Sequence, residues 1–257
     1  MIPKIIHYCW LGGAEKPKSV LKCIESWKKY CPDYEIKEWN ETNLDFDSAP
    51  VFVKQAYESK AWGFVPDYFR LWIVYEHGGI YLDTDVQVIK NLNPLLSHKA
   101  FAGFEGENNI ALGLGFGAEA KNKLIYEHLK IYKKLSFIDK SGNLNKIPSP
   151  VITTQFFLEK GVVLGENKIQ NIEDMILYPK EYFAPKDFDT GITKITKNTY
   201  SIHQYDASWF SDEEKHKLRK SRRKYRWDKI RYFPNNVLKK ILGEDRYQRL
   251  KNRLKKK

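Results

Sequence analysis

Asp83 and Asp85 stand two positions apart at the end of the segment His77-Gly78-Gly79-Ile80-Tyr81-Leu82. In an extended chain alternate side chains share a face, so the spacing predicts that both carboxylates point one way and Thr84 the other. Two hard oxygen ligands side by side can bind a divalent cation, which can neutralise the phosphates of a ligand. The competing reading is a surface turn after a strand, where Asp and Thr are common. Asp67 and Arg70 lie three apart on one face of a predicted helix that leads into this segment. They read either as a surface ion pair worth ~0.2–0.5 kcal/mol or as a contribution to the same site. His203, Asp206, Ser208 and Trp209 fall within seven residues, a second place where a metal or phosphate site could be completed. A lone His has many solvated or core uses as well.

Positioning these residues requires strands that end near one another. Met1–Gly13 reads as a first buried strand closed by a Gly-Gly loop, where α/β sheets present ligand-binding loops. Ser19 is placed to cap a helix with Val20, Ile24, Trp27 and Tyr30 at helical spacing, stopped at Cys31-Pro32. Tyr34–Trp39 is a second strand and Ala49–Lys60 a second helix. Pro66–His77 carries the stripe Tyr68, Leu71, Trp72 and Tyr75, with Gly78 as C-cap. Further strands are expected at Ala100–Phe104, Leu177–Pro179 and Thr199–His203, and helices at Leu124–Leu135 and Thr153–Lys160. Gly113, Gly115 and Gly117 lack the Gly-Lys-Ser/Thr of a phosphate loop and the spacing of a dinucleotide fingerprint, so they read as a flexible pocket wall. Strands alternate with helices across residues 1–210, which argues an α/β domain with a mainly parallel central sheet flanked by helices.

The 257 residues fit one domain with an appendage. The net charge of +12 is uneven: residues 211–257 hold 19 Lys and Arg against 6 Asp and Glu, which leaves 25 and 26 in residues 1–210. The basicity therefore belongs to a 211–257 tail, predicted as a helical extension with Leu238, Ile241, Leu242, Leu250 and Leu254 among its cations. Such a tail suits an anionic membrane surface or packs on its own domain. Three cysteines without disulfide or zinc spacing point to reduced thiols in a cytosolic protein. No signal peptide or spanning apolar run is visible, so any membrane contact is expected to be peripheral.

Taken together, Ile2–Gly13, Pro66–Leu71 and Gly78–Asp85, with the late Ile202-His203 and Ser208-Trp209, resemble the sugar-binding-region glycosyltransferases of family 32. That family includes bacterial capsular polysaccharide transferases, yeast mannosyltransferases and the catalytic domains of large clostridial glucosylating toxins. The resemblance implies a GT-A fold of Rossmann-like type, a nucleotide-sugar donor such as a UDP-sugar, Mn²⁺ or Mg²⁺, and retention of anomeric configuration. It implies that Trp10 stacks on the nucleobase and that Asp67 and Arg70 hold the donor sugar. Tyr81 then lines the nucleotide pocket, Asp83 contacts ribose, sugar or metal, and Asp85 ligates the metal. Ser208 and Trp209 complete the metal and β-phosphate contacts, with His203 as a further metal ligand. Pro66 departs from the family pattern, which has a small residue before the Asp, and is expected only to fix the first helical turn.

No residue declares itself as nucleophile or general base, which is compatible with same-face attack in which the leaving phosphate takes the acceptor proton. The expected setting is the cytoplasmic face of a bacterial membrane, with a surface-glycan or lipid-linked saccharide as acceptor. Two other classes remain open on sequence: a nucleotide-sugar or carbohydrate-binding protein without chemistry, and a nucleic-acid-binding protein acting through its basic tail. The last requires affinity that survives physiological salt.

Overall fold

The computed structural model describes residues 1–206 and, in the tail, 213, 214, 216–225, 227, 243, 244 and 246. The central sheet begins with β1 (Ile5–Cys9), whose buried apolar run continues through α1 (Lys18–Tyr30) into the parallel β2 (Glu35–Trp39). Pro17 caps α1 without a side-chain hydrogen bond, so Ser19 sits inside the first turn and is not the cap. After α2 (Val51–Glu58) and α3 (Val65–His77), Gly78 at φ +66° and Gly79 at φ +100° reverse the chain into β3 (Gly79–Tyr81), which pairs parallel with β1. A Cβ at Gly79 would come within 2.8 Å of the His7 ring and the Ile5 carbonyl, so this turn requires glycine twice over.

The chain then forms β4 (Val86–Val88), β5 (Ala100–Phe104), β6 (Ile110–Ala111) and β7 (Phe116–Ala118). It continues through α4 (Lys123–Tyr132) and α5 (Ser149–Glu159) into β8 (Gln170–Ile172) and β9 (Met175–Tyr178), and ends the sheet region with β10 (Ser201–His203). The main sheet has eight strands in the order β2-β1-β3-β7-β5-β9-β8, with β6 on β5, while β4 and β10 make a separate antiparallel pair. In the main sheet β2, β1, β3, β5 and β9 run one way and β6, β7 and β8 the other. The predicted mainly parallel α/β arrangement is therefore present, with reversed strands inserted at its middle and one edge.

Side chains alternate across this sheet to build two cores. Tyr81, Ala102 and Phe116 pack with α2, α3, α4 and α5 on one face. Ile6, Tyr8, Ile80 and Phe101 pack with α1, β4 and Tyr200 on the other. The glycine-rich stretch is not a flexible wall: Leu112–Ala118 is fully buried, and Gly117 in β7 lies where a Cβ would meet Phe101, Ile80 and the Gly79 carbonyl. Its glycines are there to allow close approach of neighbouring chains. The three cysteines are reduced and buried.

The described residues of Met1–Lys186 and Thr193–Trp209 make one compact unit, and those of Asp187–Ile192 and Phe210–Lys257 a second. Within the second, residues 216–225 are helical, and Arg222 donates to the Phe188 carbonyl at 2.6 and 3.0 Å. The apolar residues expected at 238, 241, 242, 250 and 254 lie outside the described residues. Among the described residues no helix is long and apolar enough to cross a membrane.

Candidate active site

β3 stops at Tyr81, so Asp83 and Asp85 do not continue a strand; they occupy a turn closed by the Val86 N–H donating to the Asp83 carbonyl at 3.0 Å. Their convergence therefore comes from the turn and not from strand alternation. The turn is fixed at both ends. Leu82 N–H donates to the His7 carbonyl at 3.0 Å and Asp83 N–H to the Gly113 carbonyl at 3.1 Å. Beyond it, β4 is pinned by α1, where Trp27 Nε1 donates to the Val86 carbonyl at 2.7 Å and Ser26 Oγ accepts from Val88 N–H at 3.0 Å.

The other edge of β4 carries β10, in a register that sets His203 opposite Val86. His203 Nε2 consequently lies 3.0 Å from Asp85 Oδ1, while the Asp206 N–H donates to Asp85 Oδ2 at 3.0 Å and the Gln204 N–H to the Asp85 carbonyl at 2.9 Å. Asp83, Asp85 and His203 each offer one ligand atom, all within 4.8 Å of one another. Burial alone would raise the Asp85 pKa, but His203 and the Asp206 amide outweigh it and lower the carboxyl. For His203 burial works downward, and Asp85 more than offsets it, so the imidazole is raised. Two carboxylates and an imidazole form a donor set able to hold a divalent cation.

Asp83 belongs to a second constellation. Arg70 Nη2 lies 3.1 Å from Asp67 Oδ1 and 3.2 Å from Asp83 Oδ1, Nη1 lies 3.4 Å from Ser149 Oγ, and the guanidinium sits 5.5 Å from the Tyr81 ring centre. Asp67 and Arg70 are 5% and 6% exposed. The surface-pair reading is thus excluded: α3 is buried nearly all round, and removing one partner of such a pair costs about 3–5 kcal/mol. Burial pushes the Asp67 carboxyl up to about 6 against the pull of Arg70. Gly113 completes the packing, since a Cβ there would overlap the Asp83 carboxylate.

Trp10 follows β1 and is half-buried, its indole N–H donating to the Ala14 carbonyl at 2.7 Å and Lys16 Nζ standing 5.6 Å from the ring. Tyr81 is 1% exposed, so its reach is to Arg70 above it and to the Cys9 thiol. Ser208 and Trp209 lie outside the described residues. Pro66 occupies the first turn of α3, as expected. Sequence reasoning missed Ser149, the role of Gly113 and, above all, Glu105, whose charge is felt at His203, Asp83 and Asp85 and whose carboxyl is raised by burial. None of the three sits in a recognisable pattern; only the end of a predicted strand at Phe104 marked the place of Glu105.

Residues 17–102 match the family described as glycosyltransferase sugar-binding region containing DXD motif. That range holds Asp67, Arg70, Asp83 and Asp85 but not Trp10, Glu105 or His203. An uncharacterized glycosyltransferase, L373, of Acanthamoeba polyphaga mimivirus is 32% identical over 216 residues, covering 81% of this chain and 72% of that protein. Inositol phosphoceramide mannosyltransferase 3 of Schizosaccharomyces pombe is 36% identical over 132 residues, 45% of this chain and 34% of its own length. The chain thus spans about a third of the fission-yeast relative. Among solved structures, the PaToxG glycosyltransferase aligns at TM-score 0.49 with 18% identity, over 62% of this chain and 70% of that one. By its relation to the viral protein along most of both chains, and by the family match across α3 and the Asp83–Asp85 turn, this chain belongs to the glycosyltransferases with a DXD-containing sugar-binding region.

Proposed function

We propose that the protein is a divalent-metal-dependent, retaining glycosyltransferase that moves a sugar from a nucleotide-sugar donor, a UDP-sugar in the first instance, to a saccharide acceptor. The observation that carries this is the convergence of Asp83, Asp85 and His203 on one point beside the buried Arg70. Asp85 and His203, with Asp83, would hold the cation. When bound, it offsets the negative charge that develops on the leaving diphosphate. Arg70, kept cationic by two carboxylates, adds a fixed positive contact for the donor, and Ser149 with Tyr81 fixes its position. Trp10 offers its ring to the nucleobase at the end of the neighbouring strand. Asp67 orients Arg70 and reaches the donor sugar; Ser208 and Trp209, outside the described residues, would by the family resemblance contact the metal and the β-phosphate. No general base is invoked: the acceptor attacks from the face the diphosphate leaves, and the departing phosphate oxygen takes its proton. Trapping a covalent sugar–enzyme adduct would contradict that step.

The acceptor in this reading is a surface-glycan or lipid-linked saccharide met at the cytoplasmic face of a membrane. The name of the fission-yeast relative, a transferase acting on a phosphoceramide lipid, supports a lipid-linked acceptor. Exposed Lys217, Arg219, Lys220, Arg223 and Lys224 beside exposed Trp227 support an anionic lipid surface as partner. Vesicles containing phosphatidylserine should bind the full chain in low salt and release it as salt rises, whereas neutral vesicles should not bind.

The test of the activity is a panel of nucleotide sugars, with glucosyl, galactosyl, mannosyl and N-acetylhexosaminyl donors, incubated with the protein and Mn²⁺. Hydrolysis or transfer of at least one donor, abolished by EDTA and restored by Mn²⁺, is expected. Binding of a donor without turnover would instead identify a carbohydrate-binding protein.

A further inference from the structure

Strands β1, β3 and β5 run in the same direction, so the residues that follow them emerge along one edge of the sheet. The order across the sheet is β1, β3, β7, β5. Trp10 therefore stands one strand to one side of the Asp83 turn, and Glu105 two strands to the other, about 10 Å at ordinary strand spacing. A nucleotide sugar is itself linear in base, diphosphate and sugar. With the base at Trp10 and the diphosphate at the Asp83–Asp85 turn, the sugar extends toward the end of β5.

Glu105 meets it there as a carboxylate that, among the described residues, has only the longer-range attraction of His203. Asp67 and Asp83 are held by Arg70, and Asp85 by His203 and the Asp206 amide. The Glu105 side chain is half-buried and, among the described residues, has no hydrogen bond or ion pair of its own. It is also not one of the three groups whose ligand atoms converge for a single cation. Its backbone is held firmly: the Glu105 N–H donates to the Asn109 carbonyl at 2.8 Å, β5 pairs with β6 just before it, and Ile110 N–H donates to Thr154 Oγ1 at 2.9 Å. A rigidly mounted, partly desolvated carboxylate accepts hydrogen bonds strongly and repels other anions.

We infer that Glu105 is a specificity-determining residue that accepts a hydrogen bond from a ring hydroxyl of the donor sugar and excludes donors whose sugar carries a carboxylate. The inference rests on the proposed function, because it takes its direction from a nucleotide sugar lying along this edge. The class of donor it selects is a neutral, hydroxyl-bearing hexose, not a uronic acid.

The experiment compares wild type with Glu105→Gln and Glu105→Ala. The probes are the nucleotide sugar selected by the wild type in the panel, its singly deoxygenated analogues, UDP-glucuronic acid, and UDP with Mn²⁺. Glu105→Ala should raise the donor KM or lower kcat/KM by about 10–100-fold, the worth of one hydrogen bond to a charged group. The wild-type penalty for one deoxy analogue should vanish in that variant. Glu105→Gln, which keeps the shape and removes the charge, should improve use or binding of UDP-glucuronic acid relative to the neutral donor. UDP–Mn²⁺ affinity should stay within about twofold in both. Unchanged donor kinetics and unchanged deoxy discrimination would overturn the inference, as would parallel loss of UDP–Mn²⁺ affinity in the isosteric Gln variant, which would assign Glu105 to the metal centre. A wild type that binds no nucleotide sugar in the panel would overturn the parent reading, and this one with it.

Discussion

Asp83 and Asp85 share a turn but differ in their surroundings. Both oxygens of Asp85 face groups brought by β10, whereas Asp83 shares the Arg70 guanidinium with Asp67. Asp85→Ala should therefore lower metal-dependent turnover by at least ~100-fold with little change in fold, while Asp83→Asn should weaken donor binding as well, since Arg70 loses one of two counter-charges. Steady-state kinetics with titrated Mn²⁺ and donor separate the two effects, and full activity in both variants would remove the centre of the proposal. Gly113→Ala tests the same carboxylate from the other side. The added methyl takes the space of the Asp83 side chain, so turnover should fall at least ~10-fold and stability by about 1–3 kcal/mol, as overpacking does; a fully active variant would show that Asp83 can move without consequence. Of these residues, the Asp pair was legible because two carboxylates at alternate positions are conspicuous. The burial of Asp67 and Arg70 was not, because an i, i+3 ion pair has the same spacing on either face of a helix. Glu105 was not singled out, although residues 104–117 were expected to shape the donor pocket, since its place beside the site follows from strand order.

At the scale of elements, the site depends on a three-residue strand with two supports. β4 is held by β10 through backbone pairing and by α1 through Ser26 and Trp27. Ser26→Ala leaves the buried Val88 N–H without its acceptor, which costs about 1–3 kcal/mol. Because β4 carries the turn, calorimetry should also show Mn²⁺ affinity reduced severalfold. A stability loss with unaltered Mn²⁺ affinity would mean that β10 alone is sufficient to place Asp85 and His203. The longer elements were readable: α1 to α5 and strands β1 and β5 all present a helical stripe or a run of apolar residues, and β2 carries Ile36 and Trp39 after the Cys31-Pro32 stop. Strands β4, β6, β7 and β8 are two or three residues long, too short for alternation to register. β7 was further disguised by Gly117 and the glycines before it, which ordinarily argue against strand; Gly117 admits Phe101 and Ile80 at contact distance, and Gly113, ahead of the strand, admits the Asp83 carboxylate.

At the scale of the whole molecule, two buried histidines tie stability to pH. His7 is fully buried, with Trp39 Nε1 donating to its Nδ1 at 3.1 Å, so its own proton sits on Nε2 and goes to the Gly78 carbonyl at 2.8 Å. That arrangement is the neutral tautomer, and burial, only partly opposed by the Gly78 bond, lowers its pKa to about 4. His128 is stacked on Phe156, and burial together with the charge of Arg70 lowers it to about 3. Both take up protons in the unfolded chain below 6.5 while staying neutral in the folded one, so each removes stability as pH falls from 6.5 toward its folded value. Asp67, raised to about 6, works the other way: the folded state holds its proton between 6 and the ordinary 3.8. Between pH 6 and 4 these three groups leave the unfolded chain about one proton ahead, a slope of about 1.4 kcal/mol per pH unit. Replacing His128 by Phe, which keeps the ring and the stacking, removes one of the two histidine contributions. Urea denaturation at pH 6, 5 and 4 should then show the stabilities of wild type and His128→Phe diverging by about 1.4 kcal/mol per unit as pH falls, the variant being the less sensitive. Parallel curves would mean that His128 is already protonated in the folded protein, and that the apolar face of the sheet around α4 and α5 is less dry than its packing implies.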